Sequence, residues 1–232
     1  MSVTYRSDVT VELVDHMGDL QRIAAAARVS TGTTGTDTEN AGLIRYLYNN
    51  RHASPFEHVV FTFRVEAPIF VTREMLRHRV GSFNEESGRY SILKPVFYMP
   101  AADRPLVQVG KVGHYEFEPG TAEHRAVVEA GHHRAYSAAW ASYERMIEAG
   151  IAREVARNVL PVGIYSSLYW TVNLRSLLNF LSLRVDWGDE AANRSHPTHE
   201  IQEVARRAFE LALVGRLCQV GELFRDNGYR PL

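Results

Sequence analysis

The sequence predicts an α+β fold that is mainly helical and has a small antiparallel sheet. Long stretches place apolar side chains at helical spacing, most clearly over residues 121–149 and 173–184. Only two short stretches, 57–67 and 88–98, are rich in the β-branched and aromatic residues typical of strands. The 232 residues contain no repeat and no low-complexity tract, and their length suits one large or two small domains. We predict a single domain over residues 1–232.

The N-terminal half is predicted to begin with a helix over residues 17–28, a loop over 31–40 and a second helix over 38–50. The strand 57–67 is followed by Pro68, which suits the first turn of a helix that we expect to run to about Arg79. Residues 88–98 are predicted to form the second strand, and Pro95 would limit that strand to an edge or an end.

The C-terminal half is predicted to be helical except around residues 164–172. Residues 99–120 are rich in proline and glycine and predict a surface loop, after which helix 121–149 stops at Gly150. The apolar run 164–172 fits either a strand or a buried helix. The other predicted elements are a helix over 151–158, a helix capped by Asn173 and ending near residue 184, a polar loop over 185–199 and a helix over 197–225.

Composition and charge exclude several classes of partner. The net charge of −1 provides no overall positive field for nucleic acid, so any anion site must be local. No apolar run reaches the roughly 18 residues of a membrane span, and the first residues carry no secretory signal. The single cysteine, Cys218, cannot form a disulfide within the chain, which fits a cytoplasmic protein.

Polar side chains are unusually dense in the stretch RHRVGSFNEESGRY, residues 77–90. On the predicted helix Arg73 and Arg77 would share one face, whereas residues 77–79 would fan out around the axis. Ser87, Gly88 and Arg89 then provide a hydroxyl, a close backbone approach and a guanidinium, which together suit a phosphate. A solvated helix end with surface ion pairs is the alternative, but the position between an apolar helix and a strand favours a ligand site.

Helix 173–184 carries leucines on one face and polar side chains in two other directions. Arg175 and Asn179 point one way, whereas Arg184 lies at the margin of the leucine face. This pattern fits an amphipathic helix with solvated side chains, or one whose two polar directions face two ligands.

Other chemistry finds little support in the sequence. The pairs His132–His133 and His196–His199 lack the spacing of a zinc site, so we expect no bound metal. No G-x-G-x-x-G motif and no P-loop are present, which argues against a Rossmann-type nucleotide site. Cys218 lies in an apolar helical stretch without a nearby base, so we expect a buried structural thiol rather than a nucleophile.

The run from Arg77 to Arg89 matches R-H-R-x-x-S-x-N-E-x-S-x-R without a mismatch, and it resembles the signature of the flavin-dependent thymidylate synthases. Four further stretches resemble the family in order, namely residues 11–30, 52–71, 153–161 and 169–184. The resemblance implies reductive methylation of dUMP to dTMP without a cysteine nucleophile. It also implies methylenetetrahydrofolate as carbon donor, FAD and NADPH as the reducing cofactors, and a homotetramer with sites at subunit interfaces.

The resemblance also implies a role for individual residues of this chain. FAD would be contacted by Ser54, Arg77, His78, Arg79, Glu85, Asn173, Arg175 and Asn179. The nucleotide would be held by Glu74, Arg77, Glu85, Glu86, Ser87, Gly88, Arg89, Arg157 and Arg184. The catalytic residues would be Arg184, which favours ionisation of the pyrimidine N3, and His52, which lies near the flavin ring.

Glu74 departs from the family pattern, because glutamine occupies this position in some relatives. A carboxylate repels phosphate, so Glu74 should touch the base or pair with an arginine. Two alternatives to this function remain at this stage. One is a flavoenzyme that acts on another pyrimidine or oxidises reduced nicotinamide, and the other is a nucleotide- or RNA-binding regulator that uses the same arginines.

Overall fold

A computed structural model describes residues 2–111 and 114–232. The chain divides into two compact units, the first with residues up to Val9, 66–73 and 85–167, and the second with residues 10–65, 74–84 and 168–232. The strands are β1 (Thr4–Arg6), β2 (Thr10–Met17), β3 (Val60–Pro68), β4 (Ser82–Glu85), β5 (Val96–Tyr98), β6 (Val107–Lys111), β7 (His114–Glu118) and β8 (Tyr165–Asn173). The helices are α1 (Leu20–Arg28), α2 (Asp37–Asn49), α3 (Ile69–Met75), α4 (Ala122–Glu148), α5 (Arg153–Ala156), α6 (Leu174–Arg184), α7 (His199–Phe209) and α8 (Cys218–Asp226). The prediction of a mainly helical α+β fold with small antiparallel sheets is therefore confirmed.

The first unit is built on the long helix α4. Thr121 accepts a hydrogen bond from the backbone N–H of His124 and caps the helix, and Gly150 follows its end with a φ of +77°. One face of α4 buries Tyr136, Trp140 and Tyr143 in an aromatic core that also contains Phe97, Ala156 and Ile164. The predicted helix 121–149 and its stop are thus confirmed.

The predicted strand 88–98 is wrong over most of its length. The backbone N–H groups of Tyr90 and Ser91 both donate to the carbonyl of Ser87, at 3.0 and 3.2 Å, so this stretch turns instead of extending. Only β5 remains, directly after Pro95, and it pairs in parallel with β1. The predicted loop 99–120 is also partly wrong, because β6 and β7 form an antiparallel pair in it.

The second unit carries the four-stranded sheet, in the order β2-β3-β8-β4. Leu174 N–H donates to the carbonyl of Val59 at 2.8 Å, and the hydroxyls of Thr62 and Thr171 are 3.0 Å apart. As residue numbers rise along β3, the numbers of the facing residues on β8 fall, so the two strands are antiparallel. Residues 164–172, for which the sequence left two interpretations open, thus form an antiparallel strand. The indole of Trp170 on this strand is buried against the ring of Phe180 on α6, with centroids 4.8 Å apart.

Two predicted helices are shorter than expected. Helix α3 ends at Met75 rather than near Arg79, because His78 N–H returns to the Met75 carbonyl at 3.0 Å and β4 begins at Ser82. Gly81 permits the turn between them, since a Cβ there would lie 3.1 Å from the indole nitrogen of Trp170. The predicted helix 197–225 is split into α7 and α8 by a π-helical turn over Glu210–Val214.

Candidate active site

Helix α6 directs polar side chains to the surface because its other face is buried. Its buried side chains are Leu174, Leu177, Leu178, Phe180 and Leu181. Asn173 begins the helix as predicted, since its Oδ1 accepts a hydrogen bond from Ser176 N–H at 2.9 Å. Arg175 and Asn179 lie on the exposed face, whereas Arg184 is half-buried at the last turn.

The polar side of α6 lines a pocket of about 670 Å³ in the second unit, and arginine and amide side chains dominate its wall. The lining residues are Glu57, Arg77, His78, Arg79, Val80, Asn173, Arg175, Ser176, Asn179, Leu183, Arg184 and Leu232. All predicted FAD contacts except Ser54 and Glu85 are therefore gathered in one pocket. We refer to it as the α6 pocket.

Glu57 is the acidic member of the α6 pocket. It lies in the short 3₁₀ helix Ser54–His58, and its carboxylate accepts a hydrogen bond from Arg175 at 2.6 Å. Both side chains are about half-exposed, so water screens the pair and Arg175 can exchange it for another anion.

Arg184 is fixed at two points of its guanidinium group. Its Nε–H donates to Nε2 of His78 at 3.0 Å, and its Nη1 donates to Oε2 of Glu74 at 3.3 Å. The other oxygen of Glu74 accepts the hydroxyl of Thr198 at 2.7 Å. A planar guanidinium held through two different nitrogens cannot rotate freely, so Arg184 presents a defined edge.

His78 is held in its neutral form. Burial and, to a smaller extent, the neighbouring Arg184 cation together lower its pKa to about 4. Because Nε2 accepts a hydrogen bond from Arg184, the proton of the neutral ring lies on Nδ1. The ring also packs edge-on against Phe180, with centroids 4.9 Å apart.

The chemistry of the α6 pocket fits FAD. The cofactor carries a diphosphate, which guanidinium groups bind in a bidentate, charge-assisted manner, and Arg77, Arg79 and Arg175 line the pocket. The amides of Asn173 and Asn179 can both donate and accept, as the edge of a flavin ring requires. The volume also lies within the roughly 300–1,000 Å³ usual for cofactor sites.

The first unit has its own polar pocket, of about 340 Å³. Its wall consists of Ile69, Arg73, Glu85, Glu86, Gly88, Leu93, Arg157, Asn158, Leu160, Val162, Ile164, Tyr165 and Ser166. A Cβ at Gly88 would lie 3.0 Å from Leu93 and 3.3 Å from Arg157, so a larger residue would crowd both side chains. We refer to this site as the Arg157 pocket, and it gathers four of the predicted nucleotide contacts: Glu85, Glu86, Gly88 and Arg157.

Several predicted site residues line neither pocket. Ser87 caps its own turn by accepting Arg89 N–H at 3.3 Å, and Arg89 pairs with Glu154 at 3.2 Å at the surface. His52 follows α2 and its ring contacts Tyr46, with centroids 5.8 Å apart. Ser54 begins the 3₁₀ helix from which Glu57 reaches the α6 pocket.

The structure adds residues that the sequence did not single out as ligands or partners. Glu57 lies within residues 52–71, one of the stretches that resemble the family, and this position is the sequence signal from which a role in the site could have been inferred. Arg73 drew attention only through its spacing from Arg77. Thr198 gave no local signal, because its contact with Glu74 joins positions far apart in the chain.

Cys218 is exposed at the start of α8, so the prediction of a buried thiol is wrong. Its thiol donates to the carbonyl of Val214 at 2.9 Å, and the residue does not line the α6 pocket. Among the residues that the structure describes, no group of three or more His, Cys, Asp or Glu side chains could hold a metal ion. The expectation that the protein binds no metal stays a prediction.

Over residues 2–111 and 114–232, no helix has both the length and the apolar character that a bilayer span requires.

A family model described as "Thymidylate synthase complementing protein" matches residues 12–213. The flavin-dependent thymidylate synthase of Streptomyces coelicolor is 51% identical over 234 residues, which is 97% of this chain and 94% of the relative. That of Tropheryma whipplei strain TW08/27 is 46% identical over 217 residues, 91% of this chain and 90% of the relative.

Solved structures resemble the fold over nearly its whole length. The UMP/dUMP methylase PolB from Streptomyces cacaoi, bound with 5-Br dUMP, superposes with a TM-score of 0.91 at 44% identity and covers 99% of this chain and 100% of its own. The same methylase bound with 5-Br UMP gives a TM-score of 0.91 at 45% identity, with 99% of both chains covered.

Proposed function

The chain belongs to the family of flavin-dependent thymidylate synthases and is therefore an enzyme, and we propose that it methylates dUMP to dTMP with FAD in the α6 pocket. The observation that carries this proposal is the composition of that pocket. Two separate stretches of sequence supply the polar residues that line this one cavity, namely Arg77, His78, Arg79, Asn173, Arg175, Asn179 and Arg184. No glycine-rich dinucleotide motif is required, because side chains supply the donors.

Arg184 would act on the pyrimidine. A fixed cation beside the N3/O2 edge of uracil stabilises negative charge as it develops there, and so makes C5 nucleophilic. The neutral His78 supports this role, because an imidazolium at 3.0 Å would repel the guanidinium. We place His52 near the flavin ring, as the family resemblance implies.

The Arg157 pocket would hold the sugar and phosphate of the nucleotide, whose base Arg184 would contact where subunits meet. Arg157 supplies a charge for the phosphate, and Gly88 lets the backbone approach closely. Glu85 and Glu86 accept hydrogen bonds and repel phosphate, so they suit the deoxyribose hydroxyl. We propose that Ser87 and Arg89 join this site when Arg89 leaves its exposed partner Glu154.

We propose methylenetetrahydrofolate as carbon donor and NADPH as reductant. The methylene group needs two electrons and a proton to become a methyl group, and bound flavin would supply the hydride. We also propose that no protein thiol acts as nucleophile, which is supported by the position of Cys218 outside the lining of the α6 pocket. We also propose that residues 1–232 act as one domain, in a homotetramer whose FAD sites form where subunits meet.

UMP is a second candidate substrate. The neighbouring methylase from Streptomyces cacaoi is described as acting on UMP as well as dUMP, and it is about as similar to this chain as the thymidylate synthase relatives. The reaction would be the same, with ribose in place of deoxyribose.

The proposal is tested by product analysis with purified protein. The protein should carry FAD and form dTMP from dUMP only when both methylenetetrahydrofolate and NADPH are supplied. A parallel reaction with UMP decides between the two substrates. Absence of bound flavin, together with no methylated product from either nucleotide, would overturn the proposal.

A further inference from the structure

Glu74 is in contact with two side chains and lines neither pocket. Its Oε1 accepts the hydroxyl of Thr198 at 2.7 Å, and its Oε2 accepts Nη1 of Arg184 at 3.3 Å. The side chain is 23% exposed. Its two oxygens are thus committed to the protein, which leaves it poorly placed to bind a nucleotide directly.

Thr198 uses its hydroxyl in an unusual way. It is the residue before α7, where a threonine normally accepts a hydrogen bond from the backbone of the first turn. Here the side chain makes no such cap, and the hydroxyl donates to Glu74 instead. The contact therefore does not serve the helix on which it lies.

Two hydrogen bonds anchor the loop between α6 and α7, at the end of which Thr198 lies. Ser195 donates its hydroxyl to the carbonyl of Val185 at 3.1 Å, and Asp186 N–H donates to the side chain of Gln202 at 3.2 Å. Both contacts tie the loop to the ends of α6 and α7. These contacts lie beside Thr198 and beside Arg184, the last residue of α6, and so restrict the loop that joins the two residues.

We propose that Glu74 and Thr198 are positioning residues for Arg184. Thr198 orients the carboxylate of Glu74, Glu74 holds Nη1 of Arg184, and His78 holds its Nε. Three of the five N–H groups of Arg184 make no hydrogen bond within the part of the chain that the structure describes. The arrangement aims these three groups at the ligand. The catalytic consequence rests on the proposed function, whereas the structural consequence does not.

Four variants separate positioning from direct nucleotide binding. Thr198→Val removes the hydroxyl with little change of shape, and α7 should persist because that hydroxyl does not cap it. Thr198→Ser restores the hydroxyl. Glu74→Met removes the carboxylate, whereas Glu74→Gln keeps one oxygen as acceptor for Arg184 and can donate its amide N–H to the hydroxyl of Thr198.

The kinetic result expected is a loss of kcat for dTMP formation with KM for dUMP within about 2-fold of wild type. We expect a kcat loss of roughly 3- to 10-fold for Thr198→Val, the scale of one hydrogen bond. Glu74→Met should lose roughly 10- to 100-fold, the scale of a misplaced catalytic group. Thr198→Ser and Glu74→Gln should recover most of the loss. Glu203→Gln, which removes an exposed carboxylate of α7, controls for the change in charge and should match wild type.

A second measurement does not depend on activity. The Nε–H resonance of Arg184, assigned by its absence in Arg184→Lys, should be slow to exchange with water in wild type. It should exchange faster in Glu74→Met and Thr198→Val than in Glu203→Gln. If wild type formed no dTMP, the proposed function would fall and this resonance would still decide the inference. An unchanged resonance, or a rise in KM for dUMP at constant kcat, would overturn it.

Discussion

Arg184 donates its Nε–H to Nε2 of His78 over 3.0 Å, so the residue proposed to act on the pyrimidine is paired with a histidine that cannot be protonated without losing the contact. The two residues come from positions far apart in the sequence, the end of α6 and the turn after α3. The protonation state of His78 is thereby linked to the placement of the catalytic arginine.

His78 should remain neutral throughout the physiological pH range. Its folded-state pKa of about 4 lies below the 6.5 of an unperturbed histidine, so the unfolded chain binds the proton first as pH falls. The free energy of unfolding should decrease between about pH 6.5 and 4, and less so in His78→Gln. Urea denaturation at pH 7.5 and pH 5 measures this. An equal decrease in both proteins would contradict the assignment.

Arg157→Ala and Arg184→Ala should impair dTMP formation in different ways. Arg157 is proposed to bind a phosphate that does not change during reaction, so its loss should raise KM for dUMP roughly 10- to 100-fold at constant kcat. Loss of Arg184 should lower kcat by roughly 10²–10³, as for one electrostatic donor. Steady-state kinetics separate the two, with Arg134→Ala on α4 as an exposed control. Wild-type turnover of Arg184→Ala at saturating dUMP would remove the role given to Arg184.

Arg175→Ala should weaken FAD binding. We expect a rise in Kd of roughly 10-fold or more, the scale of one charge-assisted hydrogen bond. Glu57→Gln should lower the Kd for FAD. The carboxylate of Glu57 lies 2.6 Å from Nη1 of Arg175 and therefore competes with FAD for this arginine. Titration of flavin-free protein with FAD measures both, and Arg207→Ala on α7 is the exposed control. Tighter binding by Arg175→Ala would show that FAD does not use this arginine.

Gly81→Ala should destabilise the protein by about 1–2 kcal/mol. The added Cβ would lie 3.1 Å from the indole nitrogen of Trp170 and 3.3 Å from the carbonyl of Thr171. Gly42→Ala in α2 is the control, since beyond its chain neighbours and the backbone of its own helix nothing lies within 4 Å of the added Cβ. The free energy of unfolding of that variant should rise by up to about 1 kcal/mol. Thermal denaturation of both proteins tests the difference, and equal shifts would show that β8 does not restrict Gly81.

Cys218→Ser should leave kcat for dTMP formation within about 2-fold of wild type, as expected for a surface change away from the site. The thiol is exposed and lines neither the α6 pocket nor the Arg157 pocket. Kinetics at matched FAD content measure this. A loss beyond about 100-fold in a folded, FAD-loaded variant would restore a nucleophilic role for the cysteine.

Local signals predicted the elements that depend on neighbours in sequence. Helix α6 follows from its asparagine cap and its leucine spacing, and α4 from its aromatic pattern and Gly150. The end of α3 was not predictable, because the helical pattern continues beyond Met75. The chain leaves the helix there to place β4 beside β8, which is a contact between distant residues.

The candidate site likewise combines features that local sequence predicts with features that depend on contacts between distant residues. The residue types in 77–89 and 173–184 are enough to predict an anion site and to indicate the family. Their sorting into the α6 pocket and the Arg157 pocket depends on the fold, as does the contact between Thr198 and Glu74. No periodicity in the sequence encodes a hydrogen bond across that separation.

The central claim is that FAD bound by this chain is required to methylate dUMP. It is tested most directly by comparing flavin-stripped and FAD-reconstituted protein, each with dUMP, NADPH and methylenetetrahydrofolate labelled with ¹³C at the methylene carbon. Mass spectrometry of the nucleotide should find dTMP with the label in its methyl group only after reconstitution. Equal labelling of dTMP by the stripped protein, or none by the reconstituted protein, would contradict the account.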